Sequence, residues 1–141
     1  MKDFSTSSSF IQFPGKEVAS LLIKSALEYK MNPRMDINKG LGKTLGLIFL
    51  NPSLRTRVST QLAASNLGIE SIVLNMDKEA WALEMEEGAV MNKNTVEHIK
   101  DAAGVLGSYF DFLAIRAFPT LSHKQNDRED TTIRKFEKYF G

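Results

Sequence analysis

Three observations predict an α/β fold built on a parallel sheet with helices on both faces, a three-layer α/β/α arrangement. Short apolar runs recur at Leu45–Leu50, Ile69–Leu74 and Phe112–Ala117. The segments between and around them place apolar residues at helical spacing. The resulting order, α-β-α-β-α-β-α, calls for parallel strands joined by right-handed crossovers.

Each element has its own signal. From Gly15 to about Met31, Val18, Leu21, Leu22, Ala26 and Tyr29 share one helical face, and Pro33 stops the helix. Residues 32–44 hold Asn, Pro and two glycines and read as a loop. The run Leu45–Leu50 is nearly all apolar, as expected of a strand covered on both faces. A helix from about Leu54 to Asn66 carries Leu54, Val58 and Leu62 on a stripe, with Gly68 as its stop. Residues 75–94 are polar and acidic around Trp81 and read mostly as a long exposed loop. Asn94 followed by Glu97 resembles a capping box for a helix that turns Val96, Ile99, Ala103 and Leu106 inward and stops at Gly107. Residues 119–126 read as loop, and Asp127 is placed to cap a last helix with Ile133, Phe136 and Phe140 on its buried side.

Composition bounds the function. At 141 residues and 43% hydrophobic, the chain can bury one core, and no internal repeat is visible. We read residues 1–14 as a flexible segment and 15–141 as the domain. The formal net charge of +1 offers no global field for nucleic acid or an anionic membrane, so any anion site must be local. Without cysteine there is no disulfide or thiolate chemistry, and no run approaches the roughly 18 apolar residues of a membrane span. The plain expectation is a cytoplasmic protein.

The chemistry concentrates where the first strand gives way to a helix. A helix start exposes unpaired N–H groups at the positive end of its dipole, and Ser53, Arg55, Thr56 and Arg57 add side-chain donors around them. The expected guest is a phosphate. Solvated arginines behind a serine cap are the bland alternative, but Arg116 follows Phe112-Leu-Ala-Ile and should emerge at the same carboxyl edge of the sheet, where open α/β sheets bind ligands. Gly40-Leu-Gly-Lys-Thr44 invites a P-loop reading that fails, because position 37 is Ile37 and the glycines precede a strand instead of following one. The glutamates at 84, 86 and 87 read as a solvated face, and His98 and His123 lack partners at metal-ligand spacing, so no metal is assigned.

Ser53-Leu-Arg-Thr-Arg57 after one strand and Ile115-Arg-Ala-Phe-Pro119 after another resemble the carbamoyl-phosphate domain of the transcarbamylases. With Ala80-Trp-Ala-Leu-Glu84 and Glu97-His98, and with Leu54 where aspartate and ornithine enzymes carry threonine, the chain is similar to the N-acylornithine branch. The resemblance implies carbamoyl transfer from carbamoyl phosphate to the δ-amine of N-acylornithine, without metal or organic cofactor. It assigns the phosphate to Ser53, Leu54 through its backbone N–H, Arg55 and Thr56. Arg55 and Arg116 serve phosphate and carbonyl oxygens and are the catalytic candidates. It further implies a homotrimer in which Trp81 reaches a neighbouring subunit's site. The residue before Glu97-His98 is glutamate in acetylornithine enzymes and proline in succinylornithine enzymes. Val96 stands here, and because it would not repel an extra carboxylate, the charge argument leans toward succinylornithine, with acetylornithine open.

Because the chain stops after a helix, we expect it to be one domain of a longer enzyme, binding phosphate but not turning over alone. The alternative is a stand-alone phosphate-binding or oligomerisation module.

Overall fold

The computed structural model describes residues 15–76, 83–90, 95–119, 121–122 and 124–140. The expectations for residues 1–14, Trp81, Asn94 and His123 lie outside them. The chain divides into two compact units, Met1–Met35 and Asp36–Gly141. In the first, helix α1 spans Lys16–Met31, starts after Gly15 and closes at Asn32, whose N–H donates to the Glu28 carbonyl.

The second unit is built on a parallel three-stranded sheet, β2-β1-β5, from β1 (Thr44–Phe49), β2 (Glu70–Asn75) and β5 (Phe112–Arg116). Helix α2 (Leu54–Leu67) joins β1 to β2, and α3 (Ile99–Tyr109) precedes β5. The chain steps from β1 to β2 and then crosses back to β5 on the other side. Right-handed connections running in opposite directions put α2 and α3 on opposite faces, as the sequence led us to expect. After β5 come α4 (Lys124–Arg128) and α5 (Thr131–Phe140), with α5 packed against α3.

Strand alternation divides the core. Ile48 turns to the α3 and α5 face, where it clusters with Ile99, Ala103 and Phe136. Leu47 and Phe49 are buried with the opposite orientation, on the side of α2. Gly46 lets the Phe110 ring and Leu113 approach, since a Cβ there would stand 2.8 Å from Phe110 Cδ2. At the amino end, Asp111 accepts from Lys43 Nζ at 2.6 Å and from the Thr44 N–H at 2.8 Å, tying the start of β1 to the start of β5. Lys43 is therefore part of a structural latch, which agrees with rejecting the P-loop reading.

Several local expectations need correction. The stripe Leu54, Val58, Leu62 is exposed, at 78%, 55% and 58%. Buried Ala64 and half-buried Thr60, Gln61 and Leu67 mark the inner side of α2 instead. Residues 83–84 are no loop: β3 (Leu83–Glu84) pairs in parallel with β4 (Glu97–His98). Helix α3 begins only at Ile99, capped by His98 Nδ1 accepting from the Lys100 N–H at 3.1 Å, and Val96 is 69% exposed instead of inward. Gly107 does not end α3; it sits inside it against the Phe140 carbonyl. Asp127 lies within α4 and accepts from the Leu121 N–H, while Phe136 is fully buried as expected.

Candidate functional site

The register puts Phe49 of β1 opposite Arg116 of β5, so both strands end at the same level. The helix after β1 and helix α5, which packs against α3, lie on opposite faces, which makes the gap between these two carboxyl ends a topological switch point.

From β1 the chain passes Leu50-Asn51-Pro52 and enters α2 at Ser53. Ser53 has extended backbone, φ −158° and ψ 110°, and its Oγ accepts from the Thr56 N–H at 3.4 Å and pairs with Thr56 Oγ1 at 3.0 Å. The first intrahelical bond runs from the Arg57 N–H to the Ser53 carbonyl at 3.2 Å. Helix geometry gives the N–H groups of Leu54 and Arg55 no acceptor within α2, so they face outward from the positive end of its dipole. The Leu54 side chain is exposed, which leaves its backbone as its contribution.

Arg116 reaches this turn directly. Its Nη1 donates to the carbonyls of Asn51 and Pro52, both at 3.1 Å, and its guanidinium lies 4.2 Å from the centroid of the Phe118 ring. One anchored cation thus sits one residue from the helix cap. Arg55 and Arg57 are exposed on the first turn, and among the described residues no ion pair joins Arg55, Arg57 or Arg116 to a carboxylate. Cations gathered at a helix start repel one another until an anion arrives, and an oxyanion with several acceptors suits this donor set.

The structure brings Ser53, Leu54, Arg55, Thr56 and Arg116 to one edge. Val96 belongs to a separate feature, the segment leading into β4. Thr95 Oγ1 donates to Glu84 Oε2 at 3.3 Å, and His98 Nε2 meets the Glu86 carbonyl at 3.1 Å. Nδ1 accepts from the Lys100 N–H, so Nε2 is the ring nitrogen that faces the Glu86 carbonyl as donor. The expected acidic face is partly engaged: Glu87 accepts from Lys138 Nζ at 2.7 Å and the Tyr139 hydroxyl at 2.5 Å, which hold its carboxyl down to about 2. Lys135 Nζ donates to the Met85 carbonyl at 2.6 Å, so α5 secures the strip next to β3. Sequence reasoning gave Asn51 no role and weighed His98 only as a metal ligand and as part of the Glu97-His98 resemblance; what it missed is the bond from the Phe118 N–H to Asn51 Oδ1, remote in sequence, and the His98 cap, unusual for a histidine.

An α/β domain with a capped helix start and a strand-end arginine at one sheet edge has the layout of a class of domains suited to anions. This chain belongs to the aspartate/ornithine carbamoyltransferase family: residues 8–138 match the family's carbamoyl-P binding domain. It is 43% identical over 123 residues to the N-acetylornithine carbamoyltransferase of Xanthomonas campestris pv. campestris, covering 87% of this chain and 35% of that protein. With the N-succinylornithine carbamoyltransferase of Bacteroides thetaiotaomicron it shares 39% over 123 residues, covering 84% and 39%. The chain therefore spans little more than a third of the length of these curated relatives. Among solved structures, acetylornithine transcarbamylase complexed with acetylcitrulline superposes with a TM-score of 0.80 at 40% identity, covering 89% of this chain and 37% of that one. A variant of N-acetyl-L-ornithine transcarbamylase with a glutamate replaced by valine, complexed with carbamyl phosphate and N-succinyl-L-norvaline, superposes at 0.81 with the same identity and coverage.

Proposed function

We propose that this chain forms the carbamoyl-phosphate half of the active site of an N-acylornithine carbamoyltransferase on an arginine-making route. The observation that carries the reading is the bond from Arg116 Nη1 to the Pro52 carbonyl, which fastens a strand-end cation beside the Ser53-capped helix start. In this reading the N–H groups of Leu54 and Arg55, the hydroxyls of Ser53 and Thr56, and the Arg55 guanidinium hold the phosphate. Arg116 and Arg55 serve the oxygens on which charge grows.

The reaction follows from that placement. The δ-amine of the acceptor forms a bond to the carbamoyl carbon, the carbon–oxygen bond to phosphate breaks, and the amine loses a proton. Negative charge builds first on the carbonyl oxygen and then on the leaving phosphate. Fixed cationic donors stabilise that charge more than they stabilise the substrate, and a single such donor contributes about 2.7 to 4 kcal/mol.

For the acceptor we favour succinylornithine. Val96 is exposed and uncharged at the position where a glutamate would repel a second carboxylate, and a valine-for-glutamate relative is complexed with carbamyl phosphate and a succinylated ligand. The domain is taken as residues 15–141, within a cytoplasmic homotrimer whose Trp81 serves the adjacent subunit; the motif resemblance supports the trimer and the role of Trp81. Assaying the complete protein with carbamoyl phosphate and, in turn, succinylornithine, acetylornithine and ornithine tests the reading. Succinylcitrulline should form fastest, and the 141-residue chain alone should bind phosphate without measurable turnover. Turnover only with ornithine would overturn the assignment.

A further inference from the structure

We infer that Asn51 is a positioning residue of this site, holding the helix start and Arg116 in one fixed relation to the anion. The inference rests on the reading that this edge binds phosphate. Two oxygens of Asn51 engage the end of β5: its main-chain carbonyl accepts from Arg116 Nη1 at 3.1 Å, and its side-chain Oδ1 accepts from the Phe118 N–H at 2.7 Å. The Leu50 N–H donates to the Arg116 carbonyl at 3.0 Å and completes the stitching of the two exits.

The segment beyond β5 has left the sheet by Phe118, so its N–H has no ladder partner and depends on the side chain that crosses from the first exit. That N–H belongs to the residue whose ring underlies the Arg116 guanidinium. Displacing Phe118 therefore displaces the platform of the cation. Pro52 strengthens the arrangement from the other side, since it fixes its own φ and restricts Asn51 to extended backbone.

The choice of asparagine has a chemical reason. Aspartate would offer the same acceptor but add a negative charge beside a site that must admit an anion, whereas the amide accepts the hydrogen bond without charge. Asn51 is half-buried at the rim, outside the cluster of Ile48, Ile99, Ala103 and Phe136, so its side chain bears on the site more than on the core.

The test uses the full chain, inorganic phosphate as probe, and the variants Asn51→Ala and Asn51→Asp. Thermal melts, exchange of the Phe118 amide and phosphate titration at low and high salt are measured for each. In Asn51→Ala the amide should exchange at least about tenfold faster and phosphate should bind about tenfold more weakly, by a factor that salt does not change. In Asn51→Asp the amide should stay protected, and the affinity deficit should shrink as salt is added. If Asn51→Ala does not fold, Asn51→Leu replaces it, filling similar space without an acceptor. Equal phosphate affinity in wild type and either acceptor-free variant overturns the role of Asn51. Failure of the wild type to bind phosphate is a different result and overturns the reading of the edge itself.

Discussion

Arg116 Nη1 lies 3.1 Å from the carbonyl oxygen of Pro52, the residue that immediately precedes the Ser53 cap of α2. A guanidinium held by backbone carbonyls keeps its charge while losing its freedom, so an arriving oxyanion meets a donor already in place. Arg55, by contrast, is exposed on the helix itself and is expected to act on the ligand alone.

This contrast separates two substitutions. Arg55→Ala should weaken phosphate binding by roughly ten- to a hundredfold, the range of a charge-assisted hydrogen bond, and leave the melting temperature nearly unchanged. Arg116→Ala should lose comparable affinity and also lower stability by about 1 kcal/mol, because the Asn51 and Pro52 carbonyls lose their donor. Titration calorimetry and thermal melts measure both; unaltered affinity in Arg55→Ala would remove it from the site.

The Ser53 cap allows a similar separation. Ser53→Ala should destabilise α2 by about 1 kcal/mol, as the Thr56 N–H loses its acceptor. Ser53→Asp should restore the cap and most of the stability while repelling phosphate. Recovery of both properties in Ser53→Asp would mean that no anion approaches this hydroxyl.

Two glycines of α3 should respond in opposite directions. A Cβ at Gly107 would collide with the Phe140 carbonyl of α5, whereas at Gly104 the nearest atom, the Tyr139 carbonyl oxygen, stands at an ordinary 3.8 Å. Gly107→Ala should destabilise by about 1 to 3 kcal/mol through forced separation of the helices. Gly104→Ala should stabilise by about 0.5 to 1 kcal/mol through helix propensity. Denaturant melts of the two variants check the pair.

Acid should act through two carboxylates. Lys43, and then the Thr44 N–H, hold Asp111 down from 3.8 to about 2; Lys138, then Tyr139, hold Glu87 down from 4.5 to about 2. A carboxyl lowered by folding stabilises the fold fully above its unfolded value and loses that contribution as pH falls to the folded one. Stability should therefore drop between these limits, and Asp111→Asn should make the drop shallower while lowering stability at neutral pH. An unchanged slope in acid melts would contradict the latch.

The strands were legible because β1 is covered on both faces and its residues are almost uniformly apolar. The helix start was legible because capping is local chemistry: Ser53 and Thr56 are neighbours on one turn. What escaped depends on distance along the chain. Asn51 meets Phe118 across 67 positions, and Gly107 is explained only by a helix that follows a further strand. Strands β3 and β4 have two residues each, too few to show a period, and histidine is a rare cap, so Asn94 and Glu97 outcompeted His98 as the expected start of α3.

Acyl specificity offers its own check. Val96→Glu in the complete protein should reduce turnover of succinylornithine far more than that of acetylornithine, since only the former carries a second carboxylate, on its acyl group, for the glutamate to repel. Equal effects on the two would detach Val96 from recognition of the acyl group.

The most direct measurement is a phosphate titration followed by nuclear magnetic resonance of backbone amides and arginine side chains. Saturable shifts of the Leu54 and Arg55 amides together with the Arg116 guanidinium signals, sharing one affinity, are expected. Binding that leaves those three groups unmoved, or that moves them with different affinities, would contradict a single anion site shared by the two strand ends.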